Sequence, residues 1–218
     1  VVRVNGPYRV EGDVRLLRTA IVTTDRGEPI AWDEGPDFAT RDGVELCRCG
    51  ASETKPFCDR VCETNGFDGT ETADRGPIAA RRTSFHGDGV VLWDDPSLCT
   101  HAGFCRNLRT TVWGNAVEAA DPDSRAEFVS MVQQCPSGRL AYGEEADPER
   151  LIEPTLDRSI GVEPNASYWV RGGIPVVSED GTPYEVRNRQ TLCRCGRSNN
   201  KPFCDGMHRR IGFLDPAE

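Results

Sequence analysis

Ten cysteines stand in this 218-residue chain, in three groups with none left over. The first group is Cys47, Cys49, Cys58 and Cys62, and the last is Cys193, Cys195 and Cys204 followed by His208. Both follow the spacing C-x-C-x8-C-x3-Z, where Z is Cys62 in one and His208 in the other. Four sulfur or nitrogen donors so placed suit zinc, copper(I) or iron–sulfur chemistry rather than hard cations. Zinc sites usually pair ligands through two to four intervening residues, so C-x-C is tight for one tetrahedral ion. A two-iron cluster has two centres, and each can take one pair. This assigns Cys47 and Cys49 to one iron and Cys58 and Cys62 to the other. In the second group Cys193 and Cys195 take one iron, and Cys204 and His208 the other. A structural zinc site is the alternative reading.

The Cys62/His208 difference has consequences. Neutral imidazole carries one negative charge less than thiolate, and histidine ligation raises a cluster's potential. The second site is therefore expected at the higher potential. Protonation of His208 would weaken its bond to iron, so acid should release the second cluster before the first. Lys55 and Lys201 are candidates for supporting contacts near the fourth ligand.

The remaining thiols, Cys99, Cys105 and Cys135, form the middle group, with a Cys-Pro pair at Cys135-Pro136. Bacterial ferredoxins use C-x2-C-x2-C and a distant Cys-Pro. Here Ala102 occupies the middle ligand position and cannot bind iron. Three thiolates can hold a [3Fe–4S] cluster, while a [4Fe–4S] cluster needs a fourth ligand. His101, one residue out of register, is the candidate; otherwise it donates a hydrogen bond to a cluster sulfur or is simply exposed.

The positioning elements are repeated. Residues 46–62 and 192–208 match almost letter for letter, and Tyr8-Arg9-Val10-Glu11-Gly12 resembles Tyr168-Trp169-Val170-Arg171-Gly172 upstream. Two copies of one strand-rich unit ending in a cysteine loop follow. Residues 14–22 and 174–177 read as strands, with turns at Asp25-Arg26-Gly27 and Glu179-Asp180-Gly181. Asp59 and Asp205 sit where an N-cap would open a short helix, placing the fourth ligand on the same face as the third cysteine. In the middle, 90–93 and 140–142 read as strands. Asp121-Pro122-Asp123 opens a helix through Gln134 with Phe128, Val129 and Val132 on its apolar side.

Composition limits what these elements do. Only 37% of residues are hydrophobic, with 22 Gly and 15 Pro, so the loops need support beyond apolar burial. Metal binding can supply it. The net charge of −9 speaks against nucleic acid and suits a redox partner protein with a basic docking patch. No apolar run is long enough to span a membrane, and Val1-Val2-Arg3-Val4 opens no signal-peptide core. A cytoplasmic location is expected, where thiols stay reduced. There is no nucleotide-binding glycine fingerprint, no Ser-His-Asp set and no spare cysteine, so an electron carrier or cluster-handling protein is expected rather than an enzyme.

The second copy carries the pattern C-x-C-x2-S-x3-P-x-C-D-G-x-H, through Ser198, Asp205 and His208, and so resembles the CDGSH (NEET) iron–sulfur family. The first copy has Ser52 and Asp59 at the matching places but departs from the pattern at Arg60 and Cys62. Cys99-Thr100-His101-Ala102-Gly103-Phe104-Cys105 with Cys135-Pro136-Ser137-Gly138 resembles the divergent single-cluster ferredoxin domain. These resemblances imply two [2Fe–2S] clusters and one ferredoxin-type cluster, [3Fe–4S] or [4Fe–4S]. They imply an α+β chain: a β-rich, pseudo-symmetric two-copy NEET fold with a small ferredoxin-like domain inserted between the halves. The expected spans are 1–80, 83–150 and 160–218. A monomer with internal pseudo-two-fold symmetry is expected, working in electron transfer between redox proteins. The alternative function is donation of the labile His-ligated cluster, or sensing of pH or redox state.

Overall fold

The computed structural model describes residues 1–40 and 42–215; Arg41 and the last three residues of the 160–218 span lie outside the described residues. The repeat read from sequence is a repeat in structure. Strand β1 (Tyr8–Val10) pairs antiparallel with β4 (Val44–Leu46), and β9 (Tyr168–Arg171) pairs antiparallel with β10 (Arg189–Leu192). The register is the same in both: Tyr8 opposes Leu46 and Tyr168 opposes Leu192, each leucine leading into its cysteines. Each leucine also bridges the phenylalanine of its Lys-Pro-Phe segment, Leu46 to Phe57 and Leu192 to Phe203.

The two copies are woven together. Strand β2 (Arg15–Thr23) turns through Asp25-Arg26 into β3 (Pro29–Asp37), as the sequence pattern predicts. Instead of completing a first-copy sheet, β2 lies parallel to β8 (Ser159–Val162), giving the order β10-β9-β8-β2-β3. Residues of both copies share one apolar core, among them Tyr8, Leu16, Leu46, Ile160, Tyr168, Val170, Leu192 and Phe203. The strand expected at 174–177 does not form; only isolated bridges at Val177 and Ser178 occur there. Gly172 and Gly173 both take positive φ just before it, and Pro175 lacks the N–H a ladder needs.

The middle segment has its own core. Strands β5 (Thr83–His86), β6 (Val90–Asp94) and β7 (Leu140–Glu144) form a three-stranded antiparallel sheet. Helix α2 (Pro122–Gln133) packs Phe128 and Val132 onto Val90, Leu92 and Tyr142. Asp121 caps this helix by accepting the Ser124 N–H at 2.9 Å. The short helix α1 (Val112–Val117) has no sequence counterpart above, because Gly114 and a single turn and a half leave too little periodicity to read. The β2–β3 hairpin grips this unit: the Trp32 ring lies 5.3 Å from Phe104 and 4.5 Å from Trp169, and its Nε1–H donates to the Gln134 carbonyl at 3.1 Å. Among the described residues no helix is long and apolar enough to cross a membrane.

The two tyrosines cross between copies. Tyr8 Oη lies 2.9 Å from the carbonyls of Cys193 and Pro202, and Tyr168 Oη lies 2.9 Å from those of Cys47 and Pro56. Each hydroxyl is buried and supplies its proton to the loop of the other copy. Tyr168→Phe should leave the Cys47 carbonyl short of a donor at almost unchanged volume, while the Pro56 carbonyl keeps the Cys47 N–H. A loss of roughly 1–2 kcal/mol is expected, read from urea unfolding followed by fluorescence. A variant as stable as the wild type would show that this bridge contributes nothing.

Candidate metal centres

The cysteine loops are shaped by backbone and carboxylate hydrogen bonds. Asp59 accepts the N–H groups of Glu53 and Val61, and Asp205 accepts those of Asn199 and Met207, at 2.8–3.1 Å. Neither aspartate is the capping residue expected from sequence. The cap positions are Arg60, ahead of a 3-10 turn, and Gly206, ahead of helix α3 (Met207–Arg210), both with left-handed φ. The aspartates stand one residue earlier and tie the two ends of each loop together. Ser52 and Ser198 each donate to the loop phenylalanine carbonyl at 2.7 Å. Lys55 Nζ is held on the Ser52 carbonyl at 2.6 Å, whereas Lys201 contributes its backbone carbonyl, which accepts from Thr72 and Ala73.

Within these loops the predicted donors come together in pairs. Cys47 and Cys49 sulfurs are 3.9 Å apart, Cys58 and Cys62 3.9 Å, and Cys193 and Cys195 3.8 Å. Cys204 Sγ lies 3.4 Å from His208 Nδ1. Two thiolates on one tetrahedral metal at bonds of about 2.3 Å are separated by roughly 3.8 Å. Disulfide sulfurs would be about 2 Å apart, and all ten cysteines are free. Among the described residues no three His, Cys, Asp or Glu groups converge to hold a single ion. Donors set in pairs at this spacing suit a centre of two metals, each taking one pair.

The electrostatics agree with a site waiting for cations. In each C-x-C pair one sulfur is pulled down by the other's hydrogen bond: Cys49 to about 6 and Cys193 to about 6. Their partners Cys47 and Cys195 are pushed up. Burial and the neighbouring Cys58 push Cys62 up to about 12, and burial pushes Cys204 up as well. Backbone N–H groups aim at the sulfurs: Ala51 at Cys49, Arg60 at Cys58 and Gly206 at Cys204, at 3.4–3.5 Å.

The copies touch through these loops. A Cβ on Gly50 would fall 2.9 Å from the Cys195 carbonyl oxygen, and one on Gly196 would fall 2.5 Å from that of Cys49. The exposure differs between copies. Cys193, Cys195, Cys204 and His208 are all buried, while Cys49 and Cys58 are half-buried.

The three middle cysteines line one cavity of about 350 Å³ together with His101, Ala102, Arg139 and Arg209. Their sulfurs form no pair of the kind seen in the outer loops. Burial and the Cys135 and Cys99 charges push the Cys105 thiol up. His101 Nδ1 is 3.7 Å from Cys99 Sγ. Three thiols spread around a cavity suit a cuboidal cluster, in which each cysteine serves its own iron.

Sequence reasoning missed the arginines. Arg48 and Arg194, the x of each C-x-C, are almost fully buried. Arg48 donates to the carbonyls of Arg3 and Gly69 and lies over Tyr8, and Arg194 donates to the Glu163 carbonyl, pairs with Asp215 and lies over Tyr168. Arg189 donates to the carbonyls of Val132, Gln133, Cys135 and Leu140 and pairs with Glu153, so a β10 side chain fixes the Cys135 loop. Arg139 is held by Asp94 at 2.6 and 2.9 Å, and the nearby Cys99 sulfur helps keep it charged. The identity of Arg48 and Arg194 in the repeat was the one available signal.

Comparison with known families agrees with this geometry. Residues 5–61 and 165–209 match the iron-binding zinc finger CDGSH type, and residues 85–145 match the divergent 4Fe-4S mono-cluster family. No curated protein matches the chain. The chain is an iron–sulfur protein. More narrowly, it carries two CDGSH segments with a divergent 4Fe-4S mono-cluster segment between them, in an α+β architecture.

His208 sets an acid limit. Burial first, then the Arg209 charge, pulls its imidazole down to about 4. An unfolded imidazole titrates near about 6.5. The folded value is depressed, so the unfolded chain takes the proton first as pH falls. The stability that the neutral ring contributes is present above about 6.5 and is lost as pH drops towards 4. A ligating imidazole must also be neutral. Resistance to urea unfolding is expected to hold at about pH 7 and to fall as pH drops towards about 4. His208→Gln should remove that dependence, and an unchanged pH profile in the variant would contradict a buried, neutral His208.

Proposed function

We propose that the chain holds two [2Fe–2S] clusters and one [3Fe–4S] or [4Fe–4S] cluster, and carries electrons between redox proteins. Cys47/Cys49 and Cys58/Cys62 hold the first [2Fe–2S] cluster, and Cys193/Cys195 and Cys204/His208 the second. Cys99, Cys105 and Cys135 hold the third cluster. The observation carrying this is the pairing of donors at 3.4–3.9 Å in both cysteine loops. The clusters supply one-electron chemistry when bound. The chain's own residues hold the thiolates apart in pairs, direct N–H groups at their sulfurs and keep water from the second site. Contact between the three cysteine groups supports a relay over three independent stores. The acidic surface suits a partner with a basic patch. Donation of the His-ligated cluster has less support, because His208 is only 6% exposed.

Iron, zinc and acid-labile sulfide on protein purified without oxygen test the assignment. About seven or eight irons and about eight sulfides per chain are expected, with no stoichiometric zinc. A paramagnetic oxidised sample selects [3Fe–4S]; a silent one at full iron selects [4Fe–4S]. Zinc without sulfide would end the proposal.

Ligand exchange between copies gives a second test. Cys62→His should raise the potential of the first site and His208→Cys should lower that of the second, read by redox titration followed by paramagnetic resonance. Potentials unmoved by either exchange would exclude these residues as ligands.

A further inference from the structure

His101 is held in a way that neither copy's motif explains. Its backbone is left-handed, with φ 59°. Such a conformation is uncommon for a residue with a side chain, and it needs surrounding contacts to maintain it. Arg209 of helix α3 donates to the His101 carbonyl. One edge of the imidazole places Nδ1 3.7 Å from Cys99 Sγ. The opposite edge lies on Gly206, where a Cβ would overlap His101 Cδ2. The N–H of that same glycine donates to Cys204 Sγ at 3.4 Å. Nearby, Asn200 Nδ2 donates to the Ser97 carbonyl at 3.1 Å. The second cysteine loop and the middle cysteine loop are therefore joined through one ring, from Cys99 to Cys204.

The first copy has no such seat. Arg60 occupies the place of Gly206, Glu63 that of Arg209 and Thr54 that of Asn200. Arg60 keeps the left-handed backbone, φ 69°, but its guanidinium is committed to Glu45 and Glu63 at 2.8 and 3.1 Å. A ring cannot rest where that side chain leaves the backbone. The seat, the carbonyl donor and the neighbouring amide occur together in the second copy alone.

We propose that His101 is a positioning residue shared by two cluster sites and is not an iron ligand. Its Nδ1–H donates to the Cys99 sulfur and its far edge rests on Gly206, so the middle site is seated on the second cysteine loop and not on the first. This rests on reading the cysteine groups as cluster sites. At 3.7 Å from Cys99 Sγ the nitrogen shares that sulfur's corner, whereas a fourth ligand to a cube must serve another iron. A hydrogen bond to a ligand sulfur stabilises the reduced, more negative cluster and so raises its potential.

The test uses full-length protein purified without oxygen, in the wild-type, His101→Ala and His101→Gln forms. Iron and sulfide should be unchanged in both variants. The potential of the middle cluster should fall in His101→Ala and return towards the wild-type value in His101→Gln, which keeps an N–H donor. Pulsed paramagnetic resonance on the wild type should place the middle centre closer to the second than to the first. Loss of iron in His101→Ala would make the residue a ligand and overturn the proposal. So would a potential that neither variant moves, or equal separations to both outer centres. A wild-type protein without sulfide would overturn the cluster reading itself, an outcome distinguishable from these.

Discussion

The exchange of tyrosine hydroxyls between copies is the constraint from which the rest of the structure follows. The Tyr8 and Tyr168 hydroxyls each reach two carbonyls of the opposite cysteine loop, of which the proline carbonyl also accepts the N–H of that loop's first cysteine. Neither loop can be completed by its own copy, because the donor for the carbonyl of its first cysteine comes from elsewhere. Buried carbonyls without donors are costly, so the halves are committed to each other. Their rings meet edge to face at 6.0 Å, which fixes the spacing of the two strands that carry them. At that spacing the loops come close enough that only glycine fits at positions 50 and 196.

A chain with so little apolar material needs other means of ordering its loops, and here these are buried arginines. Arg48, Arg194 and Arg189 direct planar donors at carbonyls of loops and of a helix end. Guanidinium suits this role because its donors diverge in one plane and its faces stack on aromatic rings. Arg48 over Tyr8 and Arg194 over Tyr168 also cover the two rings whose hydroxyls hold the loops. The guanidinium charges so buried act on these two tyrosines, whose ionisation burial opposes and the arginines favour.

Much of this was legible in the sequence because chemistry leaves local marks. The cysteine spacing named the pairs, the repeat named the two copies, and Asp121-Pro122 with Phe128 and Val132 named helix α2. What was not legible depends on contacts between distant segments. The parallel pairing of β2 with β8 joins residues some 140 positions apart, and nothing in either strand specifies its neighbour. The failure at 174–177 is of another kind: the β-branched residues were read correctly, but Gly173 and Pro175 outweighed them. Lys55 and Lys201 are each followed by Pro-Phe-Cys-Asp in sequence and have different uses in space, since Lys55 employs its ammonium and Lys201 its carbonyl.

The differences between the two cysteine loops fall in two places, at 51–54 and at 60–63. Arg60, Cys62 and Glu63 replace Gly206, His208 and Arg209 within four consecutive positions of one short turn. In the second copy this turn faces the inserted middle segment; in the first, Arg60 and Glu63 are largely exposed. Two related loops joined by a symmetric tyrosine exchange would otherwise experience the same surroundings. A single insert can cover only one of them, and a loop that receives it needs a residue without a side chain at the point of contact. Burial under the insert then depresses the basicity of His208, which keeps the ring neutral. The other loop is less covered at Cys49 and Cys58, which are half-buried where Cys195 and Cys204 are buried. Cys62 and His208 are themselves equally buried, so it is the residues around them, Gly206 and Arg209 against Arg60 and Glu63, that track which loop the insert covers.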